Sequence, residues 1–234
     1  MDISIVIPAY NEENRLGTTI EKVYTYFKKT GMPFEIIVVD DGSKDGTVNI
    51  VKNFAIDHPE VKLRCHLKNK GKGAAVKTGV LAAEGDIILF TDADLSTPIE
   101  EFEKLKKAID NGYDIAIGSR GAENSKVVIS QPFYRRFIGK FFPFLVRLLI
   151  IKDFKDTQCG FKLFKKEPAK TIFNKLYTNG FTFDVEILAL AKRENLKIGE
   201  IGVVWYNSSE SKVSILKDPL KMFLELNRIR GRIK

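Results

Sequence analysis

A chain of 234 residues is long enough to fold as one substantial domain, and its hydrophobic fraction of 44% is ordinary for a globular protein. Its two cysteines, Cys65 and Cys159, lie far apart and form no CxxC pair, which argues against a disulfide scaffold or a zinc site. The net charge of +8 is concentrated in two segments, each with a balance of +5: residues 131–155 hold six basic groups and one acidic, and residues 212–234 hold seven and two. These segments need an anionic partner.

The first half of the sequence alternates apolar runs with amphipathic segments. Helices are predicted from Leu16 to a stop at Gly31, and over 98–111 with Gly112 as the stop. Because strands and helices alternate and most strands are apolar throughout, we expect an α/β fold with a mostly parallel sheet flanked by helices, in a single domain of residues 1–234. Buried strands are predicted at 3–7, 35–39, 86–90 and 113–117, with a weaker alternating strand at 61–67 in which Val61, Leu63, Cys65 and Leu67 share one face.

Polar segments follow five predicted strands. Any one of them is compatible with ordinary turn and cap chemistry. Ligands of open α/β sheets bind beyond the carboxyl ends of the strands, so we expect the five segments to form one polar site with carboxylates, small residues and cations. The segments are residues 8–12 (PAYNE), 40–43 (DDGS), 69–73 (NKGKG), 92–94 (DAD) and 118–120 (GSR).

Two carboxylates, Asp92 and Asp94, stand one residue apart directly after the strand at 86–90. A solvated turn is one interpretation of this pair. The other is a divalent-metal site, because carboxylate oxygens are the ligands that Mg²⁺ or Mn²⁺ prefers.

The motifs together resemble a known enzyme family. "IVIPAYNEE", "VVDDGSKDGT", "NKGKGAAVKTG", "DADLSTP" and "GSR" occur in order between residue 3 and about residue 120, and they resemble the glycosyltransferase family 2 catalytic domain, which has the GT-A fold. The continuation "DTQCGFKLF" at 156–164, "FDVEIL" at 183–188 and "SK" at 211–212 is similar to dolichyl-phosphate β-glucosyltransferases and, less closely, to dolichyl-phosphate mannose synthases.

The resemblance implies a metal-dependent, inverting transfer of a sugar, with glucose from UDP-glucose as the first choice, to a polyprenyl (dolichyl) monophosphate. Residues 1–120 then form the nucleotide-sugar-binding half and residues 121–234 the acceptor-binding half. The implied nucleotide-sugar-binding residues are Pro8, Tyr10, Asn11, Glu12, Asp40, Asp41, Ser43, Lys72, Gly73, Asp92, Ala93 and Lys212. Asp92 and Asp94 are the implied ligands of Mg²⁺ or Mn²⁺. The implied catalytic residues are Asp94, Arg120, Asp156 and Asp184, and the implied acceptor-phosphate ligands are Arg120, Arg135 and Lys162.

Two departures from the mannose synthases favour UDP-glucose as the donor: Ser96 stands where a Gln is usual, and residues 156–160 read DTQCG. The alternatives are a GDP-mannose-dependent synthase, or a family 2 enzyme acting on a glycan hydroxyl. A hydroxyl acceptor requires a general base, for which Asp156 or Asp184 is available. A nucleotide-binding scaffold without activity is a further alternative.

The two basic segments, 131–155 and 212–234, also carry many Leu, Ile and Phe residues. The stretch 133–151 is too rich in charges for a membrane span, so both segments are interpreted as amphipathic helices on an anionic membrane surface; a core helix with a solvated basic face is the alternative. With no signal peptide expected ahead of the first strand, we expect a cytoplasmic enzyme that is peripheral on the cytoplasmic face of a membrane, with a membrane protein or a second copy of the chain as further candidate partners. No nucleic-acid motif is present, and a nucleic-acid partner is not expected.

Overall fold

The computed structural model describes residues 1–128, 146, 150–206 and 218–233. The strands in these ranges are β1 (Ile3–Ala9), β2 (Phe34–Asp40), β3 (Val61–Cys65), β4 (Ile87–Thr91), β5 (Ile115–Ser119), β6 (Lys126–Val127), β7 (Phe161–Lys165), β8 (Ile198–Gly202) and β9 (Val204–Trp205). The helices are α1 (Leu16–Thr30), α2 (Thr47–Asp57), α3 (Lys72–Ala82), α4 (Phe102–Asp110), α5 (Lys166–Lys175), α6 (Phe183–Arg193) and α7 (Asp218–Ile233), and a 3₁₀ turn at Ile99–Glu101 precedes α4.

All five predicted strands are present, with ends that differ from the prediction by two residues at most. The predicted common face of the 61–67 strand is wrong in one respect. The strand ends at Cys65, so Leu67 lies beyond it instead of continuing the face of Val61, and Leu67 is fully exposed. The reason is that β3 is an edge strand whose one neighbour in the sheet, β2, ends at Asp40, and Asp40 is paired with Cys65.

Among the described residues, seven strands form the central sheet, in the order β3-β2-β1-β4-β7-β5-β8. Every neighbouring pair is parallel except the two made by β7, which runs antiparallel to β4 and to β5. The expected mostly parallel sheet is confirmed, whereas β7 was not among the predicted strands. A separate two-stranded ribbon pairs β6 with β9, with Val127 opposite Trp205.

Apolar side chains cover both faces of the sheet, as the uninterrupted apolar runs predict. Alternate residues of β1 point to opposite sides. Ile5 belongs to the cluster that includes residues of α1 and α4, whereas Val6 belongs to the cluster that includes residues of α3, α5 and α6. Gly31 ends α1 in the left-handed conformation at φ 71°, as predicted from its position.

The antiparallel strand β7 shapes the functional edge of the sheet. The carboxyl ends of β1, β2, β4 and β5 lie at one edge because these strands are parallel. Since β7 runs the other way, its amino end reaches that same edge, and Thr91 at the end of β4 is paired with Phe161. The 156–160 motif, which precedes β7, is thereby brought beside the loops that follow β4 and β5.

The C-terminal helix α7 packs on α6 through Leu226 and Val185, together with Val146. Most of the basic segment 131–155 and the first part of 212–234 lie outside the described residues. Within the described part of the chain, none of the helices combines the length and apolar character that a bilayer crossing requires.

Candidate active site

A cavity of about 540 Å³ opens at the carboxyl ends of β1, β2 and β3. Three of the predicted nucleotide-binding residues line it: Tyr10, Asp40 and Ser43. Its wall also includes Asn69 of the "NKGKG" segment, Cys65 and Leu67 from the predicted 61–67 strand, and Lys44, Val48 and His66, which were not predicted as site residues. Leu67, which lies just beyond β3, is exposed at this cavity.

Backbone-to-side-chain hydrogen bonds join the loops after β1 and β2. Asn11 has a left-handed backbone (φ 53°); its N–H donates to Ser43 Oγ at 2.8 Å, and its Oδ1 accepts the N–H of Lys44 at 2.8 Å. The Glu12 N–H donates to Thr47 Oγ1 at 2.8 Å. The "PAYNE" and "DDGS" segments are therefore one connected structure, as their predicted convergence requires.

The neighbouring carboxylates Asp40 and Asp41 have different partners. The Asp40 carboxylate accepts the N–H groups of Gly42 and Ser43 and closes its own turn. The Asp41 carboxylate instead accepts the N–H groups of Lys70 and Gly71 at 2.9 and 2.7 Å and lies 2.6 Å from His66 Nδ1. Asp41 therefore fixes the "NKGKG" loop, while Asp40 faces the cavity.

The glycines of the "NKGKG" loop permit close packing against residues 178–183. A Cβ at Gly71 would lie 2.3 Å from the carbonyl oxygen of Asn179, and one at Gly73 would lie 2.6 Å from that of Thr178. The Gly73 N–H donates to the Asn179 carbonyl at 2.8 Å. This packing sets the start of α3 and with it the position of Lys72.

Lys72 and Asp92 form an ion pair at the centre of the edge, with 2.7 Å between Lys72 Nζ and Asp92 Oδ1. Burial alone would lower the pKa of Lys72, but the negative charges of Asp92 and Asp184 outweigh it and raise the pKa. The backbone of Gly160 packs directly against Asp92. Its carbonyl accepts the Asp92 N–H at 3.2 Å, and a Cβ at residue 160 would lie 2.0 Å from Asp92 Oδ2.

Asp94 lies in the same loop and also reaches solvent. Its Oδ1 accepts the Ser96 N–H at 2.9 Å, and Arg15 Nη1 is 3.9 Å from its Oδ2. Between the two aspartates, the Ala93 carbonyl accepts a hydrogen bond from Thr19 Oγ1 of α1 at 2.7 Å.

The fit of a divalent metal rests on the carboxylates of Asp92 and Asp94, whose side chains are 32% and 20% exposed. Among the described residues, no group of three or more His, Cys, Asp or Glu side chains is arranged to hold a metal ion. Two accessible carboxylates nonetheless suit Mg²⁺ or Mn²⁺ in sites where phosphate and water supply the other ligands. The donor set therefore fits a metal that binds together with a diphosphate.

Arg120, at the end of β5, is held by Asp156 through two parallel hydrogen bonds. The distances are 2.6 Å from Nε to Oδ2 and 2.8 Å from Nη2 to Oδ1, and the Arg120 N–H also donates to Oδ2 at 3.0 Å. Burial alone would raise the pKa of Asp156, but the adjacent guanidinium holds that pKa below its usual range. The Asp156 N–H is itself fixed by Glu200 Oε1 at 2.8 Å.

The other face of the Arg120 guanidinium lies over the indole of Trp205, with 5.4 Å between Arg120 Cζ and the ring centroid. The Arg120 side chain is one-third exposed (33%). A guanidinium fixed by a carboxylate and an aromatic ring, with an exposed part, is a preorganised anion site.

Lys162 and Asp184 form a buried ion pair behind this edge. Lys162 is fully buried, and its Nζ lies 2.5 Å from Asp184 Oδ1 and 2.6 Å from the carbonyl of Cys159. Burial raises the pKa of Asp184, and the nearby charges of Lys162 and Lys72 reduce that effect without reversing it. Neither side chain presents a polar surface to solvent, in contrast to the predicted contact of Lys162 with an acceptor phosphate.

The structure brings most of the predicted site residues to one edge of the sheet. Arg135 and Lys212 lie outside the described residues. Arg15, His66, Gly160, Glu200 and Trp205 were not predicted as site residues. Two of them carried a signal in the sequence: Gly160 belongs to the DTQCG motif at 156–160, and Trp205 is the one tryptophan in the chain.

Comparison with known proteins identifies similar chains. Residues 4–173 match the model of glycosyl transferase family 2. The chain is 37% identical to a dolichyl-phosphate beta-glucosyltransferase of Trichomonas vaginalis, over 97% of this chain and 70% of that protein. It is 36% identical to the Homo sapiens dolichyl-phosphate beta-glucosyltransferase, over 98% of this chain and 75% of that protein.

A solved structure resembles the whole described fold. Mycobacterium tuberculosis glucosyl-3-phosphoglycerate synthase, in complex with Mn²⁺, UDP and phosphoglyceric acid, has a TM-score of 0.72 to this chain at 19% identity. The match covers 99% of this chain and 78% of that one. At this level of identity the likeness concerns the fold alone.

Proposed function

The chain belongs to glycosyltransferase family 2 and has the GT-A fold, and we propose a specific reaction for it. We propose that it transfers glucose from UDP-glucose to dolichyl phosphate or a similar polyprenyl monophosphate. The observation that carries the proposal is the identity of 36–37%, over 97–98% of the chain, to proteins named dolichyl-phosphate beta-glucosyltransferase. The carboxylates and cations at the sheet edge supply the chemistry that such a transfer needs.

The donor half of the proposal assigns the cavity beside Tyr10, Asp40 and Ser43 to the nucleoside. The cavity volume of about 540 Å³ is in the range of small-molecule sites. Lys72, at the start of α3, forms an ion pair with Asp92 and would contact the diphosphate. Gly73 keeps the start of α3 close to residues 178–183 and would in this way position Lys72.

We assign Mg²⁺ or Mn²⁺ to Asp92 and Asp94. When bound, the metal supplies stabilisation of the negative charge that develops on the departing diphosphate. The Mn²⁺ and UDP of the mycobacterial structure support this assignment by analogy of fold. The Ala93 carbonyl anchored by Thr19 would keep the two carboxylates in one loop conformation.

The acceptor half assigns the lipid phosphate to Arg120. A phosphate monoester carries a charge of about −1.5 to −2 near neutral pH, so it is already a nucleophile and needs no strong general base. Arg120 uses Nε and Nη2 on Asp156 and retains further N–H donors for a phosphate oxygen. Asp156 is thus proposed as the residue that orients Arg120.

The buried pair of Lys162 and Asp184 is proposed to act indirectly. Lys162 Nζ and Lys72 Nζ both lie over the Phe90 ring, 5.9 and 5.4 Å from its centroid, and the negative charge of Asp184 contributes to the raised pKa of Lys72. The pair would therefore set the electrostatic balance of the donor site instead of touching the acceptor. Arg135 and Lys212 stay predictions for acceptor-phosphate and nucleotide contacts.

Attack of a phosphate oxygen on the anomeric carbon in a single displacement would form the C–O bond as the bond to UDP breaks, with inversion. A covalent sugar intermediate is not needed, because the acceptor is itself anionic and held by Arg120. Peripheral attachment at the cytoplasmic face of a membrane, through the basic segments 131–155 and 212–234, is part of the proposal, since a polyprenyl acceptor resides in the bilayer.

The test supplies the purified protein with dolichyl phosphate, Mg²⁺ or Mn²⁺, and either labelled UDP-glucose or labelled GDP-mannose, followed by extraction of the lipid. We expect label in the lipid from UDP-glucose only. Label in the lipid from GDP-mannose only would show that the protein is a mannose synthase instead. Label in neither lipid fraction, with donor binding retained, would contradict the lipid phosphate acceptor and favour a glycan hydroxyl.

A further inference from the structure

The ribbon of β6 and β9 carries an exposed apolar surface beside Arg120. Val127 is 48% exposed, and its register partner Trp205 is half-buried. Paired residues of neighbouring strands project to the same side, so Val127 and Trp205 share a face. The contact of Trp205 with Arg120 shows that this is the face that adjoins the guanidinium. We call it the Val127–Trp205 face.

Hydrogen bonds tie the ribbon to both halves of the site. The Tyr206 N–H donates to the Ser96 carbonyl at 2.7 Å, in the loop that carries Asp92 and Asp94. The Val203 N–H donates to the Ser119 carbonyl at 3.2 Å, directly before Arg120. The Val127–Trp205 face is therefore fixed relative to the proposed metal loop and to the proposed phosphate ligand at once.

An apolar face next to an oriented cation is complementary to a molecule with a phosphate at one end and hydrocarbon directly behind it. We infer that the Val127–Trp205 face binds the first isoprene unit of the polyprenyl phosphate while Arg120 holds its phosphate. This inference rests on the proposed function and deepens it. It makes Val127 and Trp205 the residues that distinguish a polyprenyl phosphate from a water-soluble phosphate.

The indole contributes in two ways. Its ring supplies a large apolar area against which an isoprene methyl group packs. Its position over the guanidinium also desolvates one face of Arg120, so a phosphate oxygen approaches along the plane of the remaining N–H donors. An acceptor that lacks the hydrocarbon benefits from the orientation of Arg120 but makes no apolar contact with the indole.

The opposite face of the same ribbon offers a matched control. Val128 follows Val127 directly, so it projects to the other side, and it is 43% exposed. Val127→Thr and Val128→Thr make the same isosteric change at positions of similar exposure. Because both residues are exposed and the volume is conserved, we expect both variants to fold with wild-type stability.

The test uses tryptophan fluorescence, which reports on Trp205 alone because it is the one tryptophan in the chain, excited at a wavelength that the tyrosines do not absorb. Protein saturated with UDP and Mg²⁺ is titrated with geranyl phosphate and, separately, with inorganic phosphate. We expect a saturable change with geranyl phosphate at a concentration at least about tenfold below that for inorganic phosphate. Val127→Thr should weaken geranyl phosphate binding by about fourfold, the equivalent of one buried methylene, and Val128→Thr should leave it unchanged.

Each other outcome has a distinct meaning. Equilibrium dialysis measures the binding of geranyl phosphate independently of fluorescence. The inference would be overturned, and the proposed function left standing, if geranyl phosphate bound without changing Trp205 fluorescence. The same conclusion would follow if the two threonine variants bound it with equal affinity. Dialysis that detects no geranyl phosphate binding, combined with no transfer of glucose to dolichyl phosphate, would overturn the proposed function and the inference with it. Trp205→Leu should raise the KM for geranyl phosphate without raising the KM for UDP-glucose.

Discussion

Lys72 and Asp92 are joined by a 2.7 Å ion pair although one of them is proposed to bind a diphosphate and the other a metal. The pair therefore satisfies each charge before the donor arrives. Under the proposed function, Lys72 would exchange the Asp92 carboxylate for a phosphate of the donor, and Asp92 would be one of the residues that hold the divalent metal. The exchange conserves the charge balance at the edge of the sheet, and it predicts that metal and donor bind cooperatively.

Lys72→Met tests this exchange. We expect kcat/KM for UDP-glucose to fall by about two orders of magnitude because a cation that faces the developing diphosphate charge is lost. We also expect Mn²⁺ to bind more tightly in the absence of UDP, because no ammonium competes for Asp92. Steady-state kinetics and Mn²⁺ titration by electron paramagnetic resonance measure the two effects. Lys70→Met, at an exposed position of the same loop, is the control that should change neither. Weaker Mn²⁺ binding in Lys72→Met would contradict the exchange.

Gly160→Ala tests the contact behind Asp92. The added methyl would lie 2.0 Å from Asp92 Oδ2, so the carboxylate must move, and we expect metal-dependent transfer to fall at least about hundredfold. Gly17→Ala is the control: its Cβ would meet its nearest neighbour, Ile50, at an ordinary 3.4 Å, in a helix where alanine is favoured. Wild-type activity in a folded Gly160→Ala protein would remove Asp92 from the metal site.

How far the sequence predicted this site depends on the distance over which its parts interact. The spacing of Asp92 and Asp94, one residue apart, and the glycines of the "NKGKG" loop are local features of the sequence. Their residue types and spacing predicted a polar site at the edge of the sheet. The contact of Gly160 with Asp92 was not predictable, because it depends on β7 entering the sheet antiparallel between β4 and β5. The "FKLFK" sequence of β7 is short and contains two lysines, one of them buried, and so lacks the apolar run by which the other strands were found.

Asp156→Asn tests the orientation of Arg120. The two parallel hydrogen bonds become at most one, because an amide presents a single acceptor oxygen. We expect the KM for the lipid phosphate to rise by about tenfold while the KM for UDP-glucose is unchanged. Glu123→Gln, an exposed carboxylate close by in the sequence, should change neither KM. An equal rise in both KM values would show that Asp156 acts on the whole edge and not on Arg120.

The same variant has a defined pH dependence of stability. The pKa of Asp156 is lowered in the folded protein, so its ionised form stabilises the fold above its unfolded pKa of about 4, and this contribution is lost as the pH falls through the lower, folded pKa. The difference in free energy of unfolding between wild type and Asp156→Asn should therefore be largest above about pH 4 and shrink below it. Urea unfolding at several pH values measures this difference, and one that grows as the pH falls would contradict the lowered pKa.

Lys162→Met tests whether the buried pair supports the site. It leaves the Asp184 carboxylate buried without its partner, and we expect a loss of about 3–5 kcal/mol in the free energy of unfolding. The double variant Lys162→Met with Asp184→Leu removes both charges and should recover much of that stability while activity stays low. If the double variant also regained full activity, the pair would have no influence on Lys72 and Asp92.

The measurement that tests the central claim most directly is the structure of the lipid product formed from UDP-glucose and dolichyl phosphate. Mass spectrometry should show addition of a single hexose to the dolichyl phosphate, and proton NMR of its anomeric signal should show a β-linked glucosyl phosphate, the inverted configuration. Formation should cease in Asp94→Ala and in excess EDTA. A product linked through a hydroxyl, an α-linked product, or undiminished formation in Asp94→Ala would contradict a metal-assisted, inverting transfer to a polyprenyl phosphate at this edge of the sheet.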